Sequence, residues 1–309
     1  MSTSKGVSLA VISMLMFAAV ATASTFRAAD IVYLPAVARL PGANGAFFKT
    51  DVTITNTSNA RVVVRVAYVE GSGDNSTALN TLITLPTFAP GERRQMIDVA
   101  QSALGREAAN GYLIFFSCRE GGDCTTCDTS GGDCLNITVQ GRIYNDTAGG
   151  TFGQSFPGIP WYSAAALTST TQGMDRLSIN GVRNNANYRT NIGLVNASQF
   201  SATVLRLRLF NSAGAQVGEM DQTLGPLGRT QFPVTEIASG FTGDGYVTVE
   251  QVSATPTGQE DATPGFFAYG SLLDNRTNDP TTLEAEFNVP LPFDCVYAAK
   301  AQSRRPVRH

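Results

Sequence analysis

Phe48-Lys49-Thr50-Asp51-Val52-Thr53-Ile54-Thr55-Asn56-Thr57-Ser58 has a second version later in the chain, Tyr188-Arg189-Thr190-Asn191-Ile192-Gly193-Leu194-Val195-Asn196-Ala197-Ser198. Each opens on an aromatic and a basic residue and closes on Asn-x-Ser. The correspondence continues in order on both sides of the chain's middle. Val64-Arg65-Val66 matches Leu205-Arg206-Leu207, and Pro90 through Gln95 matches Pro226 through Gln231. Gly111-Tyr112 matches Gly245-Tyr246, and Gly141 with Asn145-Asp146 matches Gly270 with Asp274-Asn275. Anchors that keep their order point to a tandem duplication whose copies differ mainly in loop length, a change that surface loops tolerate cheaply.

Both copies read as strands. Leu205, Leu207 and Leu209 alternate with Arg206 and Arg208, and Val64, Val66 and Tyr68 alternate with Arg65 and Ala67. A period of two is what a sheet with one buried face requires. Tyr112 to Phe116, the series Ile137-Val139-Gly141-Ile143 and Tyr246 to Val249 are rich in β-branched and aromatic residues, as strands are. Turn-forming clusters such as Gly71-Ser72-Gly73-Asp74-Asn75 and Asn211-Ser212-Ala213-Gly214 separate them. The expectation is an all-β chain of two tandem Ig-like β-sandwich domains. Helix is confined to short turns: Asp98 as a cap, with Gln101 three residues on and Gly105 closing, and a counterpart from Thr235 to Gly240.

Residues 1–23 read as a cleaved export signal. Lys5 precedes an apolar run from Val7 to Val20, and Ala21-Thr22-Ala23 supplies a small-x-small cleavage pattern. That run is short of the roughly 20 residues that span a bilayer, and no later stretch is long or apolar enough. The remaining division is a first sandwich over 24–162, a linker over 163–175, a second sandwich over 176–295, and a basic tail over 296–309 ending in Arg304, Arg305, Arg308 and His309. Hydrophobic residues at 43% suffice for packed cores. A net charge of −3 argues against nucleic acid as a partner, because such binders concentrate basic residues on one face.

Histidine chemistry is nearly excluded, since the one histidine is the terminal His309. A Ser-His-Asp arrangement needs an imidazole oriented against its nucleophile. Lys49 and Lys300 lie near no nucleophile motif, and no Gly-rich phosphate loop precedes a helix. A carboxylate pair of the glycosidase kind needs only two acids close together. Asp51 is one candidate, but its counterpart is Asn191, and structural hydrogen bonding explains both residues better. The expectation is therefore no catalytic residue, no cofactor and no metal.

Five cysteines suit an oxidising compartment. Cys118, Cys124, Cys127 and Cys134 are spaced either for one tetrahedral zinc or for two disulfides. Disulfides are favoured, with Cys118–Cys134 closing a hairpin and Cys124–Cys127 in its tip. Asp123, Asp128 and Asp133 in the same loop match no ordered calcium pattern. Cys295 is either a buried free thiol or a link between two chains. Phe152, Phe156, Trp161 and Tyr162 concentrate aromatic surface where the first copy ends, suited either to a glycan or to packing between the copies. Asn-x-Ser/Thr sequons occur at Asn56, Asn75, Asn136, Asn145, Asn196 and Asn275. At Asn56 and Asn196 an Asx turn suffices as explanation.

The two aromatic-basic-Thr-Asp/Asn strands ending in Asn56 and Asn196, the Pro90-Gly91 turn, Arg142 through Asp146 with the following Gly149-Gly150-Thr151-Phe152-Gly153-Gln154, and Tyr269 through Asn275 resemble a largely uncharacterised family of secreted bacterial proteins with tandem Ig-like β-sandwich repeats. The likeness covers most of the chain and implies export and a sandwich fold; it supplies no catalytic residue. The cysteine-rich insertion departs from the family's pattern. The functional expectation is an exported, non-catalytic binding or adhesion module for an extracellular glycan or protein, secreted or held at the cell surface. The alternatives are a self-assembling surface protein and, more weakly, a carboxylate-dependent polysaccharide hydrolase.

Overall fold

The computed structural model describes residues 28–42, 45–122, 124, 133–166, 176–256 and 265–287. The expected export signal, most of the linker, Asp123, Asp128, Cys127, Cys295 and the basic tail lie outside the described residues.

In chain order the elements are β1 (Ile31–Pro41), β2 (Phe47–Asn56), β3 (Val62–Glu70), β4 (Ile83–Thr84), β5 (Arg93–Met96), α1 (Val99–Ser102), β6 (Ala109–Arg119), β7 (Ile137–Thr147), β8 (Gly150–Pro157) and β9 (Ile159–Pro160). There follow β10 (Ala165–Ala166), β11 (Arg176–Asn184), β12 (Tyr188–Asn196), β13 (Ser201–Asn211), β14 (Gln216–Leu224), β15 (Arg229–Pro233), β16 (Gly243–Pro256), β17 (Gly265–Asp274) and β18 (Pro280–Phe287). In the first half β4-β3-β6-β1 faces β5-β2-β7-β8, and the short β1–β2 ladder joins the two sheets. In the second half β14-β13-β16-β11 faces β15-β12-β17-β18, and β18 joins them by pairing with both β17 and β11. Each half is a β-sandwich, and the strand order is the same in both.

Alternation sets the inner faces. Leu205, Leu207 and Leu209 are fully buried, and they meet Ile192, Leu194 and Phe266 of the facing sheet. In the first half Val64, Val66, Leu113 and Phe115 meet Val52, Ile54 and Ile137. Burying each such side chain contributes about 1.5–3 kcal/mol. The matched glycines play the same part in both halves. A Cβ on Gly111 would lie 2.2 Å from the Val69 carbonyl oxygen, and one on Gly245 would lie 2.0 Å from that of Phe210.

β6 departs from a one-faced strand. Gly111 through Cys118 are all buried, because Tyr112, Ile114 and Phe116 face a third apolar cluster between the halves. That cluster also holds Tyr33, Leu79, Val195, Leu227 and Phe267. A continuous apolar run is the signature of a strand covered on both faces.

Polar contacts reinforce the junction. The Tyr112 hydroxyl donates to the Leu227 carbonyl at 3.0 Å and that of Tyr33 to Ala197 at 3.3 Å. The loop after β3 wraps the turn before β15, with Gly225 N donating to Ser72 O at 2.9 Å and Arg229 N to Gly71 O at 2.7 Å. The first residues of the expected linker are part of this packing. Ala164 and Ala165 are buried, and Ala165 pairs with Phe266.

Two local expectations are corrected. Asp98 precedes α1 but makes no side-chain cap; at φ +46° it turns away, and its carboxylate accepts from Arg39 Nε at 3.0 Å. Gly105, at φ +64°, does close the turn, its N–H reaching Gln101 O at 3.2 Å. The disulfide joins Cys118 to Cys124, not to Cys134. Cys118 and Cys134 do face each other as backbone bridge partners. The chain reverses at Gly121, however, and Gly122 N bonds Arg119 O at 2.9 Å, which brings Cys124 to a Cα–Cα distance of 5.0 Å from Cys118. Because Cys124 is taken by Cys118, the expected Cys124–Cys127 pairing falls with the first; Cys134 is also disulfide-bonded.

Candidate binding site at the junction of the halves

The four aromatic residues singled out in the sequence do not share one open face. Phe152 is half-buried on the outer strand β8, opposite Asn145. Trp161 donates from Nε1 to Asp30 Oδ1 at 3.1 Å, and the Tyr162 hydroxyl donates to Ala28 O at 3.4 Å. Both thereby tie the segment before β1 to the body. Phe156 is 1% exposed and stands edge-on to the Tyr269 ring at 5.2 Å.

That last pair places Phe156 at the junction. Beside it a cleft of about 40 Å³ is lined by Pro35, Phe156, Tyr269, Thr282, Glu284 and Phe287, among others. Strands β8 and β18 both contribute to its lining, and the Thr282 hydroxyl donates to Ser155 O at 2.8 Å between those strands. Glu284 is exposed at its rim. Room of this size admits one protruding group of a larger ligand. Concave apolar surface with a few polar groups at a domain junction is the usual form of a binding site.

Tyr269 links the cleft to a polar cluster. Its ring lies across Gly193, where a Cβ would come within 2.1 Å of it. Its hydroxyl donates to Gln231 Oε1 at 2.9 Å and accepts from Arg229 Nη2 at 2.8 Å. Arg229 also donates to Gln231 Oε1 at 2.9 Å and, across the junction, to Asn110 Oδ1 at 2.8 Å. Sequence reasoning missed Arg229, Tyr269, Gln231 and Asn110 as a group. The one signal was the matched run Pro226 through Gln231, whose first-half counterpart of Arg229 is the exposed Arg93.

Asp51 and Glu250 are held by protein donors. Asp51 accepts from Asp98 N at 3.0 Å and from the Tyr144 hydroxyl at 3.1 Å, which is the structural role expected of it. Burial, with Asp51 beside it, pushes Tyr144 up to about 12. Glu250, 3% exposed, accepts from Arg176 Nε at 3.0 Å and from Arg208. Burial alone raises its carboxyl, but the hydrogen bonds from Arg208 and Arg176 outweigh it and hold the group below its ordinary value. Asp133 is the described member of the acidic trio in the cysteine-rich loop. Among the described residues no three His, Cys, Asp or Glu side chains gather as a metal site, and no helix is long and apolar enough to cross a membrane.

No family model matches the chain, and no curated protein matches it. Among solved structures it is similar to Bacteroides uniformis β-glucuronidase 2, at 9% identity and a TM-score of 0.15 over 77% of this chain and 24% of that one. It is similar to Streptomyces avermitilis α-L-rhamnosidase at 10% identity and a TM-score of 0.20, covering 85% of this chain and 29% of that one. It is also similar to the PBSX exported protein XepA, at 10% identity and 0.20, over 79% and 84%. The chain thus spans less than a third of either glycosidase. At these scores the likeness carries no functional argument.

Proposed function

We propose that this chain is an exported, non-catalytic binding or adhesion module that presents the junction of its two sandwiches to an extracellular glycan or protein. The observation that carries the reading is the cleft between Phe156, Tyr269 and Phe287, with Thr282 and Glu284 at hand, set in a junction closed by buried contacts. A rigid concave site of this kind binds with little ordering cost. The engagement of Asp51, Asp98 and Glu250 by protein donors supports a structural use of these acids.

The edges speak against self-assembly as the first choice. β14, the longest strand at a sheet edge of the second half, carries Glu219 and Asp221, paired with Arg208 and Arg206. Charged residues on an edge are a common guard against strand addition. The test is sedimentation of the purified full chain, alone and with insoluble polysaccharides and cell envelopes. Pelleting with one ligand class, lost on Glu284→Arg, supports the module. Concentration-dependent pelleting of the protein alone overturns it.

A further inference from the structure

Arg229 is 6% exposed, and its Nε is buried with no partner. Every acceptor it reaches is neutral: Asn110 Oδ1, Gln231 Oε1 and the Tyr269 hydroxyl. No carboxylate of a described residue pairs with it. The other well-buried ion among the described residues, Glu250, has two guanidinium partners. Guanidinium is charged at any physiological pH, and removing an ion from water without a counter-charge is costly. Neutral acceptors do not by themselves call for a charge at this position.

We propose that Arg229 is the anchor of an anion site that takes the carboxylate of an acidic sugar, with the Asn110 and Gln231 amide oxygens as its neutral placeholders. Both placeholder side chains are on exposed residues, one from each half, so neither is fixed in a core. The incoming carboxylate replaces two bonds to neutral amide oxygens with a bidentate ion pair in which donor and acceptor are both charged. The freed amides and the Tyr269 hydroxyl then face the sugar's hydroxyl groups. An uncharged polar rim of two amides and a hydroxyl suits the hydroxyl groups of a sugar. The site adjoins the cleft through Tyr269 but is not part of it, because Arg229, Gln231 and Asn110 are not among the residues lining that cleft.

The experiment is a calorimetric titration of the full chain with sodium galacturonate, with galactose and triglycine as comparison ligands. Saturable binding of galacturonate, with no response to galactose and weakening as salt rises, is the expected result. Arg229→Gln should lower the affinity at least tenfold. Gln231→Glu keeps the shape and fills the site with an internal carboxylate, so it should also abolish binding while raising the melting temperature, a change that a purely structural arginine would not link to ligand loss. Absence of saturation, an equal response to galactose, or unchanged affinity in Gln231→Glu overturns the proposal. Tighter binding of triglycine than of galacturonate overturns the sugar assignment in favour of a protein terminus.

Discussion

The Thr50 hydroxyl spans the backbone of one residue, Ala38, accepting from its N–H at 2.8 Å and donating to its carbonyl at 2.9 Å. Thr190 does the same to Arg183, at 2.9 and 2.8 Å. Both threonines are fully buried. Each ties the first strand of its half to the next, just beyond a bulge in that first strand. Thr190→Val keeps the volume but leaves a buried donor and acceptor unpaired, which costs about 1–3 kcal/mol for each such group. Urea denaturation should show a loss of about 3 kcal/mol in Thr190→Val and little in Thr190→Ser. Equal losses would mean that packing, and not the hydroxyl, sets the requirement.

Asn196 is closed on itself. Its Oδ1 accepts from Ser198 N at 3.0 Å, and its Nδ2 donates to Ser201 O at 2.7 Å and Gly225 O at 2.8 Å. Asn56 makes the matching bonds to Ser58, Ala60 and Ala89. Asn196→Asp removes that donor and turns a carboxylate oxygen toward the two carbonyl oxygens, so it should destabilise by about 3 kcal/mol, since it buries a charge against acceptors. The same closure predicts that folded protein secreted from a glycosylating host carries no glycan at Asn196, whereas the exposed Asn136 accepts one. Glycopeptide mapping reads both sites.

Glu250 should contribute to the acid limb of stability. Its carboxyl lies below its ordinary value in the folded chain, so the contribution is present above the unfolded value near 4.5 and is lost as pH falls through the folded value. Glu250→Gln should cost about 3 kcal/mol at pH 7, since it breaks a buried pair, and should flatten the decline below pH 4.5. An unchanged acid limb in this variant would assign that decline to other groups.

Tyr112 sets the alkaline limb. Burial, with Tyr33 beside it, holds its hydroxyl well above the usual tyrosine value. That contribution is complete below the unfolded value near 10.0 and is lost as pH rises beyond it. Tyr112→Phe leaves the Leu227 carbonyl without its donor and should cost about 1–2 kcal/mol while loosening the junction. Calorimetry of the wild type should give one transition for both halves. Gly225→Val, whose Cβ would meet the Gly73 backbone at 2.5 Å, should split it in two.

The disulfide assignment is open to direct mapping. Non-reducing digestion should yield a linked Cys118–Cys124 peptide, and replacing both residues by serine should cost about 2 kcal/mol for so short a loop. A linked Cys118–Cys134 peptide would overturn the assignment.

The alternation of Leu205-Arg206-Leu207-Arg208-Leu209 and the matched strands ending in Asn56 and Asn196 determined, from sequence alone, an all-β chain with inner and outer faces in the right places. Period and turn chemistry are local properties, and a strand's buried face is written in consecutive residues. What only the tertiary structure decided is where distant residues meet. Tyr112 and Phe116 read only as residues of a strand, and they face the apolar cluster between the halves shared with Leu227 and Phe267. Cys118 chose Cys124 because the backbone reverses at Gly121, a preference that spacing does not encode. Arg229 and its exposed counterpart Arg93 occupy matched positions in sequence; they differ because the Gly71–Asn75 loop and Asn110 come down over one of them. Burial of that charge depends on a docking between halves, and no local stretch of either half specifies it.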